Sequence, residues 1–152
     1  MVTILDVADF FLASQDEDAG DTISNLKLQK LCYYAQGFTL AITGVPLFND
    51  EIQAWAHGPV IPNLYRHFRE YKSSAIPKPT RDLAAIRSLF SSEQLEVLDD
   101  VNEVYGQFSA WKLRDMTHQE KPWQDAWDGT QYSVGTISQE SMRSYFKTRL
   151  AS

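Results

Sequence analysis

The sequence predicts a mainly α-helical, α+β domain with five or more helices and one small strand pair near Leu47 to Ala56. Most apolar residues recur at intervals of three and four, which places them on one face of a helix. Only the segment from Glu51 to Ala56 alternates apolar and polar residues as a half-buried strand does. A chain of 152 residues can bury one hydrophobic core. We therefore expect a single domain over residues 1–152.

Two helices are predicted in the first third of the chain. The first begins after Thr3, whose hydroxyl can cap it while Asp6 lies in its first turn. An acidic loop from Asp16 to Asp21 follows. The second helix runs from about Asn25 to Thr43, and Gly44 is placed to end it.

The second helix carries two stripes of side chains on different faces. The first is the apolar stripe of a helix that faces a core: Leu28, Leu31, Cys32, Ala35, Phe38 and Ile42. The second is aromatic and polar: Gln29, Tyr33, Gln36 and Leu40. A helix with apolar or aromatic residues on two faces is either buried centrally or binds a partner.

The remaining elements are shorter. Proline and serine residues mark where later helices or helical turns begin, because Pro suits the first turn and Ser caps it: Pro62, Ser91 or Ser92, Ser109, Pro122 and Ser138. The segments from Lys72 to Thr80 and from Gly129 to Thr136 are predicted to be loops. The predicted inward face of the helix after Ser91 includes Val104 or Tyr105.

Charge and composition exclude several classes of protein. The net charge is −6, from 14 Lys and Arg against 20 Asp and Glu, which disfavours direct binding of DNA. No apolar run approaches the ~20 residues of a membrane span. The single cysteine, Cys32, cannot form an internal disulfide, which fits a reducing compartment. We expect a cytoplasmic protein without membrane contact. The sequence is compatible with a monomer or a homo-oligomer.

Motifs for catalysis are absent from the sequence. The histidines His57, His67 and His118 lie at no metal-ligand spacing with each other or with Cys32, so no metal is expected. There is no glycine-rich phosphate loop or nucleophile elbow, and we expect no cofactor. Cys32 lies on the apolar stripe, where an inert thiol is expected. We predict no enzyme and no catalytic residue; an enzyme that uses Cys32 or His118 is the less favoured alternative.

Aromatic and polar residues around the strand are the candidate binding residues. Gly58 and Pro59 are predicted to form a structural turn that aims Trp55 and His57 away from the core side of the strand. The candidate partner-binding residues are Gln29, Tyr33, Gln36, Trp55, His57 and Tyr65. If the second stripe meets the strand, the two surfaces would form a recess for a side chain or short segment of a partner. The alternative is that the second stripe packs on the strand pair as core.

Three blocks of the sequence resemble one known family. They are LKLQKLCYYAQG at 26–37, PLF at 46–48 with EIQAWAHGPVIP at 51–62 and Tyr65, and YG at 105–106 with SAWKL at 109–113, THQE at 117–120 and PW at 122–123. In this order they resemble the Panacea-domain family, the phage-associated GepA-like or SocA-like proteins. Cys32 and His57 depart from it, since relatives often have an apolar and an aromatic residue there.

This resemblance implies an antitoxin in a toxin–antitoxin system. Such a protein neutralises a protein toxin, encoded by a neighbouring gene, through direct protein–protein binding. The alternative is an adaptor that delivers the toxin to an ATP-dependent protease. The residues themselves fit a binding module, because aromatic side chains are frequent and catalytic motifs are absent.

Overall fold

The computed structural model describes residues 2–16 and 22–150. The helices are α1 (Ile4–Ala13), α2 (Asn25–Thr43), α3 (Pro62–Phe68), α4 (Leu83–Arg87), α5 (Ser92–Val104), α6 (Ala110–His118), α7 (Lys121–Ala126) and α8 (Gln139–Lys147). A short 3₁₀ helix, Arg69–Tyr71, follows α3. The strands are β1 (Ile52–Trp55), β2 (Gly58–Val60) and β3 (Gly135–Ile137). The predicted mainly helical fold is confirmed.

The helix boundaries predicted from capping residues agree with the structure. Thr3 and Asp6 form a reciprocal capping box at the start of α1. Helix α2 has the predicted bounds, and Gly44 ends it in the left-handed conformation with φ of 77°. Residues 17–21 of the predicted acidic loop lie outside the described residues.

Helix α2 lies at the centre of the fold. It packs against α1, α5, α6, α8 and β2, and most of its residues are buried, including both predicted stripes except for Phe38 and Ile42. Of the two alternatives for a two-striped helix, the structure shows central burial. Helix α8 crosses α2 at Gly37, where a Cβ atom would overlap the ring of Phe146.

The three strands form one antiparallel sheet with the order β2-β1-β3. Gln53 pairs with Val60 on one side and with Thr136 on the other. The predicted turn is one correction. Trp55 pairs with Gly58, so Ala56 and His57 form the turn, while Gly58 and Pro59 belong to β2.

The physical reason for this correction is the position of β2 at the edge of the sheet. An edge strand tolerates proline, because the missing N–H is not needed by a further strand. Gly58 has φ of 108°, a conformation that residues with a Cβ rarely adopt. Glycine and proline therefore begin a strand here instead of forming the turn.

Two short elements, β3 and α4, are not predicted from the sequence. The segment from Gly129 to Thr136 was predicted to be a loop, but its last two residues begin β3. Helix α4 was not predicted, although Asp82 caps it by accepting a hydrogen bond from the Ala85 N–H at 2.8 Å. Within residues 2–16 and 22–150, no helix combines the length and apolar character that crossing a membrane requires.

Candidate functional site

The structure divides the six predicted site residues into two groups. Gln29, Tyr33 and Gln36 lie inside the protein, with at most 1% of each exposed. Trp55 is half-buried, and His57 and Tyr65 are exposed. The predicted recess between the two groups is absent from the described residues, because the second stripe of α2 is buried and α2 packs against β2. Only the second group lies at the surface.

The two buried glutamines hold the chain on either side of β1 and β2. Gln29 Oε1 accepts a hydrogen bond from the Ile61 N–H at 2.8 Å. Gln36 Oε1 accepts from the Leu47 N–H at 2.8 Å, and its Nε2 donates to the Phe48 carbonyl at 2.7 Å. Each side-chain amide satisfies backbone groups of a segment that has no strand partner at that point.

Tyr33 belongs to a buried cluster around Glu120. The hydroxyls of Tyr33 and Tyr34 donate to the two carboxylate oxygens of Glu120 at 3.4 and 2.8 Å. Burial raises the pKa of Glu120 to about 7, although hydrogen bonds from the two tyrosines oppose the shift. Glu120 is the N-cap residue of α7, so this cluster joins the start of α7 to α2.

The Lys30 side chain lies beneath the hairpin of β1 and β2. It is fully buried, and its Nζ donates to the Pro59 carbonyl at 3.2 Å. Burial lowers the pKa of Lys30 to about 7, and the nearby positive charge of Arg114 lowers it further. A Cβ at residue 58 would lie 2.8 Å from both Lys30 Cε and Thr117 Oγ1. Glycine at this position therefore lets β2 pack closely on the lysine.

The exposed and half-buried rings around the turn form what we call the hairpin surface, defined by Trp55, His57, Tyr65, Trp111 and Tyr132. Trp55 and Tyr65 meet edge to face with 5.1 Å between their ring centroids. The His57 and Trp111 rings are 6.4 Å apart. Trp111 and Tyr132 are 59% and 80% exposed, so both rings are accessible to a partner, and Trp and Tyr are enriched at interfaces.

Arg114 links the two sides of the hairpin surface. Its guanidinium carbon lies 4.6 Å from the centroid of the Trp111 ring, within range of a cation–π interaction. Its Nε donates to His57 Nδ1 at 3.4 Å. A shallow cavity of about 330 Å³ beside them is lined by Trp55 to His57 and by residues 131–134. Residues 131–134 are not among the predicted site residues, because they fall in a segment predicted to be a loop.

A stack of rings supports the hairpin surface from below. Trp123 lies between His118 and Trp127, with centroid distances of 4.1 and 4.8 Å. The indole N–H of Trp123 donates to the Trp55 carbonyl at 2.7 Å. Trp123 thereby ties β1 to α7, which holds the backbone under the exposed rings.

Residues 2–16 and 22–150 contain no group of three or more His, Cys, Asp or Glu side chains that could hold a metal ion. Cys32 is fully buried in the core, and burial raises the pKa of its thiol. A thiol in that environment stays protonated and does not act as a nucleophile.

Comparison with known proteins adds a family relationship. A family model described as "Antitoxin SocA-like, Panacea domain" matches residues 28–124. Antitoxin SocA of Caulobacter vibrioides (strain NA1000 / CB15N) is 54% identical over 46 residues, which are 30% of this chain and 24% of that protein. The match thus spans about a quarter of the relative's length. No solved structure matches the chain.

Proposed function

Because the chain belongs to the SocA-like antitoxin family with a Panacea domain, we propose that it neutralises a protein toxin by direct binding. The toxin is encoded by a neighbouring gene, and the protein acts in the cytoplasm as a binding protein without catalytic activity. The observation that carries this proposal is the hairpin surface. It presents exposed aromatic rings on backbone that is held from below.

The chemistry of the hairpin surface suits a protein partner. Trp, Tyr and Arg are the residue types enriched where truncation weakens protein complexes most. Trp111, Tyr132 and Arg114 supply all three within one region of the surface. The Trp123 indole N–H and Lys30 Nζ donate hydrogen bonds to the β1 and β2 carbonyls beneath it. A surface already held in place loses little conformational freedom when a partner binds.

The buried members of the predicted site have a different role in this proposal. Gln29, Tyr33 and Gln36 support the fold that carries the hairpin surface and do not touch the partner. Their loss therefore lowers stability first and binding only as a consequence. This separates them from Trp55, His57 and Tyr65, which lie where a partner can reach them.

Co-expression with each adjacent gene tests the proposal. We expect one neighbour to stop growth alone and the present chain to restore growth and co-purify with that protein. Trp111→Ala and Tyr132→Ala should each weaken the complex by about 2 kcal/mol or more, roughly 30-fold, at unchanged melting temperature. Val45→Ala, 61% exposed but away from this surface, is the matched control.

Three outcomes would contradict parts of this proposal. Rescue of growth without a detectable complex would refute direct binding. Rescue that requires an ATP-dependent protease would indicate an adaptor instead. Wild-type affinity of both aromatic variants would move the contact away from the hairpin surface. Tyr33→Ala is the comparison for a core residue and should lose about 3–5 kcal/mol of stability.

A further inference from the structure

An apolar groove lies between α2, α5 and the segment after α8. It has a volume of about 360 Å³. Its apolar lining consists mainly of aliphatic side chains with one phenylalanine: Phe38, Ile42, Val97, Val101, Val104 and Leu150. None of these residues belongs to the hairpin surface.

The groove has a buried floor and exposed walls. Val97 and Val101 are 4% and 2% exposed, whereas Ile42 and Val104 are 50% and 48% exposed. Ile42 is the last member of the apolar stripe of α2. Val104 lies seven residues after Val97 on α5, which is about two helical turns and places both on the same face. The apolar faces of both helices therefore continue beyond the core, and their ends face solvent. A concave apolar surface with a buried floor can accept apolar side chains of a partner.

The edge of α5 beside the groove carries a row of carboxylates, of which Asp100 lines the groove itself. Four exposed acids of α5 lie three or four residues from the groove valines or from each other, which places them along one edge of the helix: Glu93, Glu96, Asp100 and Glu103. Among the described residues, none of these four is in an ion pair, while Asp99 pairs with Arg87 at 2.7 Å. The base that lines the groove, Arg149, lies beside the Tyr105 hydroxyl. Of the described residues, the groove lining therefore holds one acid, Asp100, and one base, Arg149, and the edge of α5 beside it adds three carboxylates on a helix that contains no base.

We propose that this groove binds a basic amphipathic helix of the partner toxin. The apolar stripe of that helix packs on the groove, and its Lys or Arg side chains face the carboxylates of α5. The distance from Val97 to Val104 is about 10 Å along α5, so two to three helical turns of the partner fill it. The assignment of this helix to a toxin rests on the proposed function, whereas the preference for a basic helix rests on the groove alone.

Charge also argues against a second copy of this chain as the occupant. In a two-fold symmetric contact the same surface faces itself. Two acidic edges of α5 would then approach each other, and such like-charge contacts are unfavourable. A partner of opposite charge removes this repulsion and gains attraction.

Synthetic peptides test the proposal on the full chain. The probe is a helical peptide of about 15 residues with Leu in one stripe and Lys at the other positions. One comparison peptide has Glu in place of Lys, and another has the Lys and Leu residues scrambled so that no stripe remains. We expect binding of the striped basic peptide alone, with an affinity that falls as salt rises.

Groove variants locate the binding site. Ile42→Ser combined with Val104→Ser removes exposed apolar area without adding charge and should weaken the peptide about ten-fold. Asp100→Asn combined with Glu103→Gln should weaken it several-fold and reduce the salt dependence. Val134→Ser, at a residue 61% exposed on the rim of the hairpin cavity, is the matched control and should bind as wild type.

Several results would overturn the proposal. Equal affinity for the striped and scrambled basic peptides would show that binding depends on charge alone and does not require an apolar stripe. Unchanged binding by both groove variants would exclude the groove as the site. A dimer in sedimentation that Ile42→Ser with Val104→Ser dissociates would make the groove a contact between copies. If the peptide binds in the groove but no neighbouring gene product is neutralised, the proposed function fails and the groove preference stands.

Discussion

Replacing Lys30 with Met tests whether a buried amine makes the fold depend on pH. The pKa of Lys30 is lowered from 10.5 to about 7 in the folded protein, because burial disfavours the charged form. Between these values the unfolded chain holds a proton that the folded chain has released. Raising the pH through this window therefore stabilises the fold. The difference of 10.5 − 7 = 3.5 units corresponds to about 5 kcal/mol at about 1.4 kcal/mol per unit.

The Met variant removes this dependence while it fills most of the space of the lysine stem. It also loses the hydrogen bond to the Pro59 carbonyl, which contributes about 1 kcal/mol. Near pH 7 we expect the variant to be more stable than wild type by as much as about 4 kcal/mol. This advantage should fall by about 1.4 kcal/mol for each pH unit above that.

Urea unfolding at several pH values between neutrality and about pH 9.5 measures this difference. Higher pH is avoided because the pKa values of Tyr33 and Tyr34 are raised in the folded protein. These tyrosines would ionise in the unfolded chain first, and this would destabilise the folded protein. Lys112→Met, at the surface of α6, controls for the loss of one positive charge. If wild type and Lys30→Met show parallel pH profiles, Lys30 does not release its proton in the fold and the reasoning is refuted.

Three other buried positions give further predictions. The pKa of Glu120 is raised from 4.5 to about 7, so wild type should lose about 3 kcal/mol of stability as pH rises through that range. Glu120→Gln should abolish this loss in urea unfolding, and a retained slope would contradict it. Cys32→Ser should lower stability by about 1–3 kcal/mol without affecting toxin neutralisation; failure of the folded variant to neutralise would contradict an inert thiol. Gly37→Ala should lower the unfolding free energy by about 1–3 kcal/mol through overlap with Phe146. Phe146→Leu in the same chain should recover part of that loss. If the free-energy losses of the two single variants simply add in the double variant, the methyl group added at residue 37 does not press on the Phe146 ring.

The elements that the sequence predicted correctly have local signals at both ends or along their length. Helix α2 has a serine cap, two stripes with helical spacing and a glycine in the left-handed conformation at its end. Strand β3 and helix α4 have three and five residues, too few for a period to be visible. Their structure depends on partners distant in sequence, as in the pairing of Thr136 with Gln53. Such partners are not apparent from one local segment.

Only part of the candidate site could be predicted, because its other residues also depend on partners distant in sequence. Gln29 and Gln36 were correctly placed on one face of α2, but a polar stripe does not show what packs against it. In the fold their amides replace backbone partners that Ile61 and Leu47 lack. The contribution of Tyr132 was missed because its neighbours join the site through the pairing of β3. The burial of Lys30 had only a weak signal in the sequence, namely a charged residue in a helix with two faces of apolar or aromatic residues.

The two proposed binding surfaces are connected through α2, and this sets a requirement for the partner. Lys30, near the start of α2, supports the hairpin, whereas Ile42, near its end, forms a wall of the groove. These residues are about 18 Å apart along the helix at 1.5 Å per residue. A toxin that contacts both surfaces must extend over at least that distance, and its second contact then forms at high effective concentration. The affinity of the complex would then exceed the affinity of either contact alone. Loss of the groove contact would therefore weaken the complex by more than the affinity of an isolated peptide for the groove indicates. Because α2 is buried and held at both ends, the two contacts require no rearrangement of the helix between them.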